Sequence, residues 1–151
     1  MARLIVDTSG YLAGMIKAHP LRPAVREVLA EVDEPPVISP LIMAELDYMV
    51  LDRTGVKAET RVLDDLTGGA YDLAEISLDD LRAGHDLIVK YTSLKIGLTD
   101  AVNMILAARY RTNEILTLDE RHFRAVVPLT PQFAAYRLLP MDQQPGAAGS
   151  S

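Results

Sequence analysis

The sequence predicts an α/β domain, a parallel β-sheet with helices packed on both of its faces. Three observations predict it. Short apolar runs that end in polar turns alternate along the chain with segments whose apolar residues recur at helical spacing. The 151 residues are the length of one domain and enough to bury a core. No internal repeat or composition break divides residues 1–140, so a single domain is expected there, followed by a low-complexity tail over 141–151 that is expected to be disordered.

The elements follow in order. Arg3-Leu4-Ile5-Val6 reads as a buried strand that stops at the polar turn Asp7-Thr8-Ser9-Gly10. Helical spacing occupies Tyr11 to Lys17 and then Arg22 to Val32. In the second segment Val25, Val28, Leu29 and Val32 share one face, with Arg26, Glu27 and Glu31 on the other. Pro35-Pro36 stops it, and Val37-Ile38 is a short strand. Ser39 followed by Pro40 is an N-cap with proline in the first helical position, which predicts a helix from Pro40 to Arg53, ended by Gly55. A helix over Lys57 to Leu66 stops at Gly68-Gly69, and Asp72 to Ile76 is a weak strand. Ser77, with Asp80 three residues on, starts a helix to Tyr91. Thr99 is expected to cap the next helix, which runs to Tyr110. Glu114 to Leu118 is a strand followed by the polar turn Asp119-Glu120-Arg121-His122, and Val126-Val127 and Tyr136 to Leu139 are expected as short late strands.

Composition excludes several function classes. Lys and Arg number 15 against 21 Asp and Glu, a formal charge of −6, so nothing global draws in phosphates or an anionic membrane. Six Tyr, two Phe and no Trp argue against an aromatic base-stacking platform. The absence of Cys removes disulfides, thiol catalysis and thiolate metal sites together. No apolar run approaches the ~18–20 residues that span a bilayer, and Asp7 interrupts the one N-terminal stretch that resembles a signal peptide. A soluble, intracellular domain is expected. There is no P-loop, no dinucleotide glycine fingerprint and no Ser-His-Asp elbow, and His19, His85 and His122 are too scattered for a histidine zinc site.

What remains is a set of acids in apolar surroundings. Asp7 directly follows a strand, at the end where open α/β sheets bind ligands, although a helix cap is the simpler role for it taken alone. Glu45 falls in the row Ile42, Glu45, Leu46, Met49, which otherwise faces inward; a Glu snorkelling from the stripe's edge is the alternative. Asp100 lies in the first turn of its helix, where the helix dipole alone accounts for an acid, and Asn103 shares its face one turn on. Asp119 follows its strand as Asp7 follows the first, and also suits a turn or a cap. Two strand ends, one helix start and one helix face can converge on one rim. Two unit charges 4 Å apart repel by about 4 kcal/mol at an effective dielectric of 20, so such a rim requires protons or a cation. Oxygen-only ligands select Mg²⁺ or Mn²⁺, ions suited to phosphodiester hydrolysis.

The stretches LIVDTSGYLAGM, ISPLIMAEL, GLTDAVNMILAA and TLDERHF resemble, in that order, the motifs of PIN-domain ribonucleases, and most closely VapC-type toxins of bacterial type II toxin–antitoxin pairs. The resemblance covers residues 1–140. It implies a three-layer α/β/α sandwich with a central, mostly parallel sheet, and it matches Asp7, Glu45, Asp100 and Asp119 to the family's acidic quartet. It further implies divalent-metal-dependent RNA cleavage with Asp7, Asp100 and Asp119 as metal ligands, an RNA substrate, a homodimer and a cognate antitoxin; the expected location of the soluble, intracellular domain is the cytoplasm. A non-catalytic binding protein that keeps the acids as a metal or partner site is the alternative. A phosphoaspartate enzyme would place a second Asp two residues after Asp7, where Ser9 stands. Arg109, Arg111, Arg121, His122 and Arg124 are candidates to line an RNA path or are ordinary solvated charge.

Overall fold

In a computed structural model, which describes residues 2–143, strands and helices alternate in the order β1 (Ile5–Val6), α1 (Thr8–Met15), α2 (Arg22–Ala30), β2 (Val37–Ile38), α3 (Pro40–Thr54), α4 (Val56–Thr67), β3 (Asp72–Leu73), α5 (Leu78–Lys90), α6 (Leu98–Arg109), β4 (Glu114–Leu116), α7 (Glu120–Ala125) and β5 (Arg137–Leu139). The strands form one sheet in the order β3-β2-β1-β4-β5, and every pairing is parallel. Chain direction across the sheet reverses between β1 and β4, which pair with Val6 opposite Leu116. That reversal opens a crevice beyond the strands' carboxyl ends, where open α/β sheets take their ligands.

Alternation along the short strands divides the core in two. Ile5, Val37, Ile115 and Leu138 point to one face and pack with Val102 and Leu106 of α6 and Phe123 of α7. Leu4, Val6, Ile38, Leu116 and Leu139 point to the other and meet Tyr11, Val25, Ile42, Leu46 and Val62 from α1 to α4. The result is the expected three-layer sandwich. Ser39 accepts the Leu41 N–H to cap α3, and Ser77 and Asp80 form a reciprocal capping box on α5.

Four local expectations are corrected. Helix α1 begins at Thr8 rather than Tyr11, because Gly10 lets it lie directly on β4: a Cβ there would stand 2.3 Å from the Leu116 carbonyl oxygen. Gly97, not Thr99, is the N-cap of α6, so Thr99 lies inside the first turn. The turn expected over Asp119 to His122 is helical, and Asp119 takes the cap role also read for it, at the start of the six-residue helix α7. Val126 and Val127 form no strand; the outer edge of β4 is already paired with β5. Met141 to Gln143 continue past the expected domain end, with Asp142 bound to Arg124 at 2.6 and 2.7 Å and accepting the Leu138 N–H at 2.8 Å. The rest of the expected tail, residues 144–151, lies outside the described residues. No helix among the described residues is long and apolar enough to cross a membrane.

Candidate active site

Asp7 occupies the N-cap position of α1 with extended backbone, yet its side chain makes no capping hydrogen bond. An Asp retained only for its helix would accept a backbone N–H there. Asp7 turns instead toward β4. Its Oδ2 accepts the Thr117 hydroxyl at 2.7 Å, and Asn103 Nδ2 donates to its Oδ1 at 3.5 Å. The residue is 6% exposed.

Thr117, the first residue past β4, also accepts the Asp119 N–H at 3.0 Å. One buried hydroxyl therefore joins the first and last of the predicted acids. Ser9 Oγ lies 3.2 Å from Thr117 Oγ1 and accepts the Leu118 N–H at 2.9 Å, which ties the start of α1 to the segment that carries Asp119.

Asp119 divides its carboxylate between two tasks. Oδ1 accepts the His122 N–H at 3.3 Å and caps α7, while Oδ2 stands 3.0 Å from His122 Nδ1. The same ring nitrogen is 3.1 Å from Oδ2 of Asp100, in the first turn of α6. Among the described residues, Asp100, Asp119 and His122 are the trio of potential ligands whose donor atoms lie within 4.8 Å of one another. Asp7 stands beside them.

Glu45 corrects its expectation in part. Ile42, Leu46 and Val50 form the buried row of α3, and Glu45 lies at its exposed edge. From there Oε2 accepts the Thr99 hydroxyl at 3.5 Å across to α6. Asp7, Glu45, Asp100 and Asp119 all line one cleft of about 380 Å³, with Leu12 and Met49 on its apolar side. The structure thus brings the four predicted acids together. It adds Thr117, which the sequence analysis does not single out, and moves His122 from a candidate RNA path into the acid cluster. The spacing Asp119-x-x-His122 at a helix start is the sequence signal for that placement. Arg109 and Arg124 are committed elsewhere, to Asp80 and to Asp142.

The electrostatics are those of crowded, desolvated acids. Burial raises the Asp7 carboxyl above its ordinary range, against the Thr117 bond that lowers it, and the charges of Asp119 and Glu45 raise it further. Asp100 is pushed up to about 6, first by burial and then by the charges of Asp7 and Asp119, with His122 opposing. Among the described residues no Lys or Arg pairs with any of the four; His122 is their only ion-pair partner. Buried Asp7 and half-buried Asp100 and Asp119, with no Lys or Arg to neutralise them, fit a hard divalent cation, so the cluster could hold a metal. The buried Thr8 hydroxyl, on the cleft wall, and the Asn103 carbonyl both lack a hydrogen-bond partner.

Comparison with known proteins identifies the family and the fold. The PIN-domain family model matches residues 4–127. Ribonuclease VapC26 of Mycobacterium tuberculosis (strain ATCC 25618 / H37Rv) is 44% identical over 126 residues, which cover 83% of this chain and 93% of that protein. The crystal structure of Mycobacterium tuberculosis VapC20, described as a sarcin–ricin-loop-cleaving toxin, superposes with a TM-score of 0.70 at 14% identity. That match covers 77% of this chain and 89% of VapC20, and at this identity it speaks for the fold alone.

Proposed function

The chain belongs to the PIN-domain family, and on that premise we propose that it is a metal-dependent endoribonuclease, the toxin of a bacterial type II toxin–antitoxin pair. The observation that carries the proposal is the meeting of Asp7, Glu45, Asp100 and Asp119 at one cleft beyond the sheet's carboxyl edge. The 44% identity to a ribonuclease supports this reading over a non-catalytic binding protein.

Asp7, Asp100 and Asp119 would hold Mg²⁺ or Mn²⁺, which neutralises charge on the scissile phosphate and acidifies a water. The chain's own residues do the rest. Thr117 and Asn103 hold the Asp7 carboxylate in one orientation, so it enters the reaction without reorganising. Glu45, exposed at the cleft's edge beside the Thr99 hydroxyl, orients the attacking water and accepts its proton. The Thr8 hydroxyl, buried on the cleft wall and without a hydrogen-bond partner, would donate to a substrate oxygen on rotating into the cleft. Without a cation the rim repels a phosphodiester.

The test is cleavage of RNA by chelator-treated protein, with activity restored by Mg²⁺ or Mn²⁺ and absent in a folded Asp7→Asn variant. Metal-independent cleavage, or none under any of these conditions, would overturn the reading. The proposal extends to a homodimer in the cytoplasm and to a cognate antitoxin. Leu12 and Met49 give the cleft an apolar wall and the acids give it an anionic floor, which suits an antitoxin tail with an apolar anchor followed by Arg or Lys. Replacing that basic residue with Ala should weaken inhibition by at least tenfold, about 1.4 kcal/mol.

A further inference from the structure

We propose that His122 is itself a ligand of the ion held by Asp100 and Asp119, and that its imidazole biases the site toward Mn²⁺ over Mg²⁺. The inference rests on the metal-dependent reading above and adds a nitrogen to a donor set otherwise made of oxygen.

The geometry is the first argument. His122 Nδ1 lies 3.1 Å from Asp100 Oδ2 and 3.0 Å from Asp119 Oδ2. Adjacent ligands of an octahedral ion, each about 2.1 Å from it, stand about 3.0 Å apart. Two edges of a coordination shell are therefore already at length, and the third separation stays within 4.8 Å.

The placement is preorganised. The Asp119 cap starts α7 and fixes His122 three residues on, over the same face, while buried Phe123 anchors the helix in the core. Because Oδ1 of Asp119 makes the cap, Oδ2 is left for the ion.

A separate observation also points to a ligand here. Thr8, 6% exposed and on the wall of the same cleft, has a buried hydroxyl with no hydrogen-bond partner. Buried polar groups in a native fold are almost always paired, and this one awaits an oxygen that arrives with the ion: a coordinated water or a substrate phosphate.

The chemistry then sets the preference. Mg²⁺ takes oxygen ligands and gives up its waters reluctantly, whereas imidazole is a common ligand for transition ions. The opposite role for His122 is a cation stand-in, with Nδ1–H donating to both carboxylates. An ion would then have to displace it, and removing the ring would tighten binding. The two roles differ in sign.

The experiment uses the full chain, stripped of metal and titrated with Mn²⁺ alone, with free Mn²⁺ followed by electron paramagnetic resonance and the bound ion by electron spin-echo envelope modulation. The wild type should show a directly coordinated ¹⁴N. His122→Leu should lose that coupling and bind Mn²⁺ at least about tenfold more weakly, while Mg²⁺ affinity, read by competition, changes little. Bound Mn²⁺ without nitrogen coupling, or equal or tighter Mn²⁺ binding in the variant, overturns the role of His122 and leaves the ribonuclease reading standing. No Mn²⁺ binding by the wild type overturns the role of His122, and if calorimetry shows no Mg²⁺ binding either, the metal-dependent reading falls with it. If His122→Leu does not fold, His122→Gln replaces it, and the wild-type spectrum decides alone.

Discussion

Thr117 donates its hydroxyl proton to Asp7 at 2.7 Å across 110 residues of sequence, and accepts the Asp119 N–H with the same oxygen. This oxygen is the hinge of the acid cluster. It sets the distance between the first and last carboxylates and offsets part of what burial costs Asp7.

Thr117→Val keeps the shape and removes both bonds. Taking the shortest hydrogen bond from the buried Asp7 carboxylate and the partner from the half-buried Asp119 N–H should cost about 1–3 kcal/mol of stability, and RNA cleavage should fall by about tenfold or more as Asp7 loses its orientation. Thr117→Ser should recover most of both. Denaturant midpoints and cleavage rates on the same preparations check it.

Asp7→Asn should abolish cleavage while the domain stays folded. The amide can still accept the Thr117 hydroxyl, and it removes a desolvated charge, so the metal-free melting temperature should hold or rise. A folded Asp7→Asn protein that cleaves RNA normally would remove Asp7 from the chemistry.

Metal-free protein should grow more stable as pH falls from about 7.5 to 5.5. The Asp100 carboxyl titrates at about 6 in the fold, above its ordinary 3.8, so its charged form is a cost to the folded state above pH 6. As pH falls through that value the folded chain takes up a proton that the unfolded chain takes up only near 3.8, and the cost is relieved. Asp7 shifts in the same direction. Asp80 and Asp142, held low by Arg109 and Arg124, lose their contributions only as the pH falls further. Calorimetry across this range should show the rise, Asp100→Asn should flatten it, and Mg²⁺ or Mn²⁺ should stabilise the wild type more at pH 7.5 than at 5.5.

Gly10→Ala should cost about 1–3 kcal/mol and most of the cleavage activity, because its Cβ meets main chain that cannot yield without moving α1 and Asp7. Gly14→Ala should cost less. Its nearest obstacle is the Val25 Cγ1 methyl at 2.8 Å, a side-chain atom that can shift. Thermal melts of the two variants make the comparison.

Periodicity and punctuation made most of the fold readable. Ser39-Pro40, Gly55 and the Ser77–Asp80 pair mark helix ends that the structure keeps, and the apolar runs at Ile5–Val6 and Ile115–Leu116 become the central strands. The misreadings are local, and each has a competing force. Thr99 has the right chemistry for a cap, but the extended Gly97 comes first and leaves its hydroxyl for Glu45. Glu45 shares helical spacing with an inward row, yet the buried row runs through Ile42, Leu46 and Val50 and leaves Glu45 at its edge. The four acids were legible because each sits at an element's end or edge. Thr117 was not, since a threonine ending a strand is unremarkable; His122 was legible only in part, because its spacing from Asp119 is readable but its contact with Asp100 is tertiary.

The pairing of β1 with β4 has a consequence for synthesis. Asp7, Glu45 and Asp100 precede β4 in the chain, but Thr117 and Asp119 follow it, and Asp7 receives its anchor only when β4 docks beside β1. A nascent chain therefore carries most of the acids without a working arrangement of them. Any activity of this cleft waits until β4 has been made and the centre of the sheet is complete.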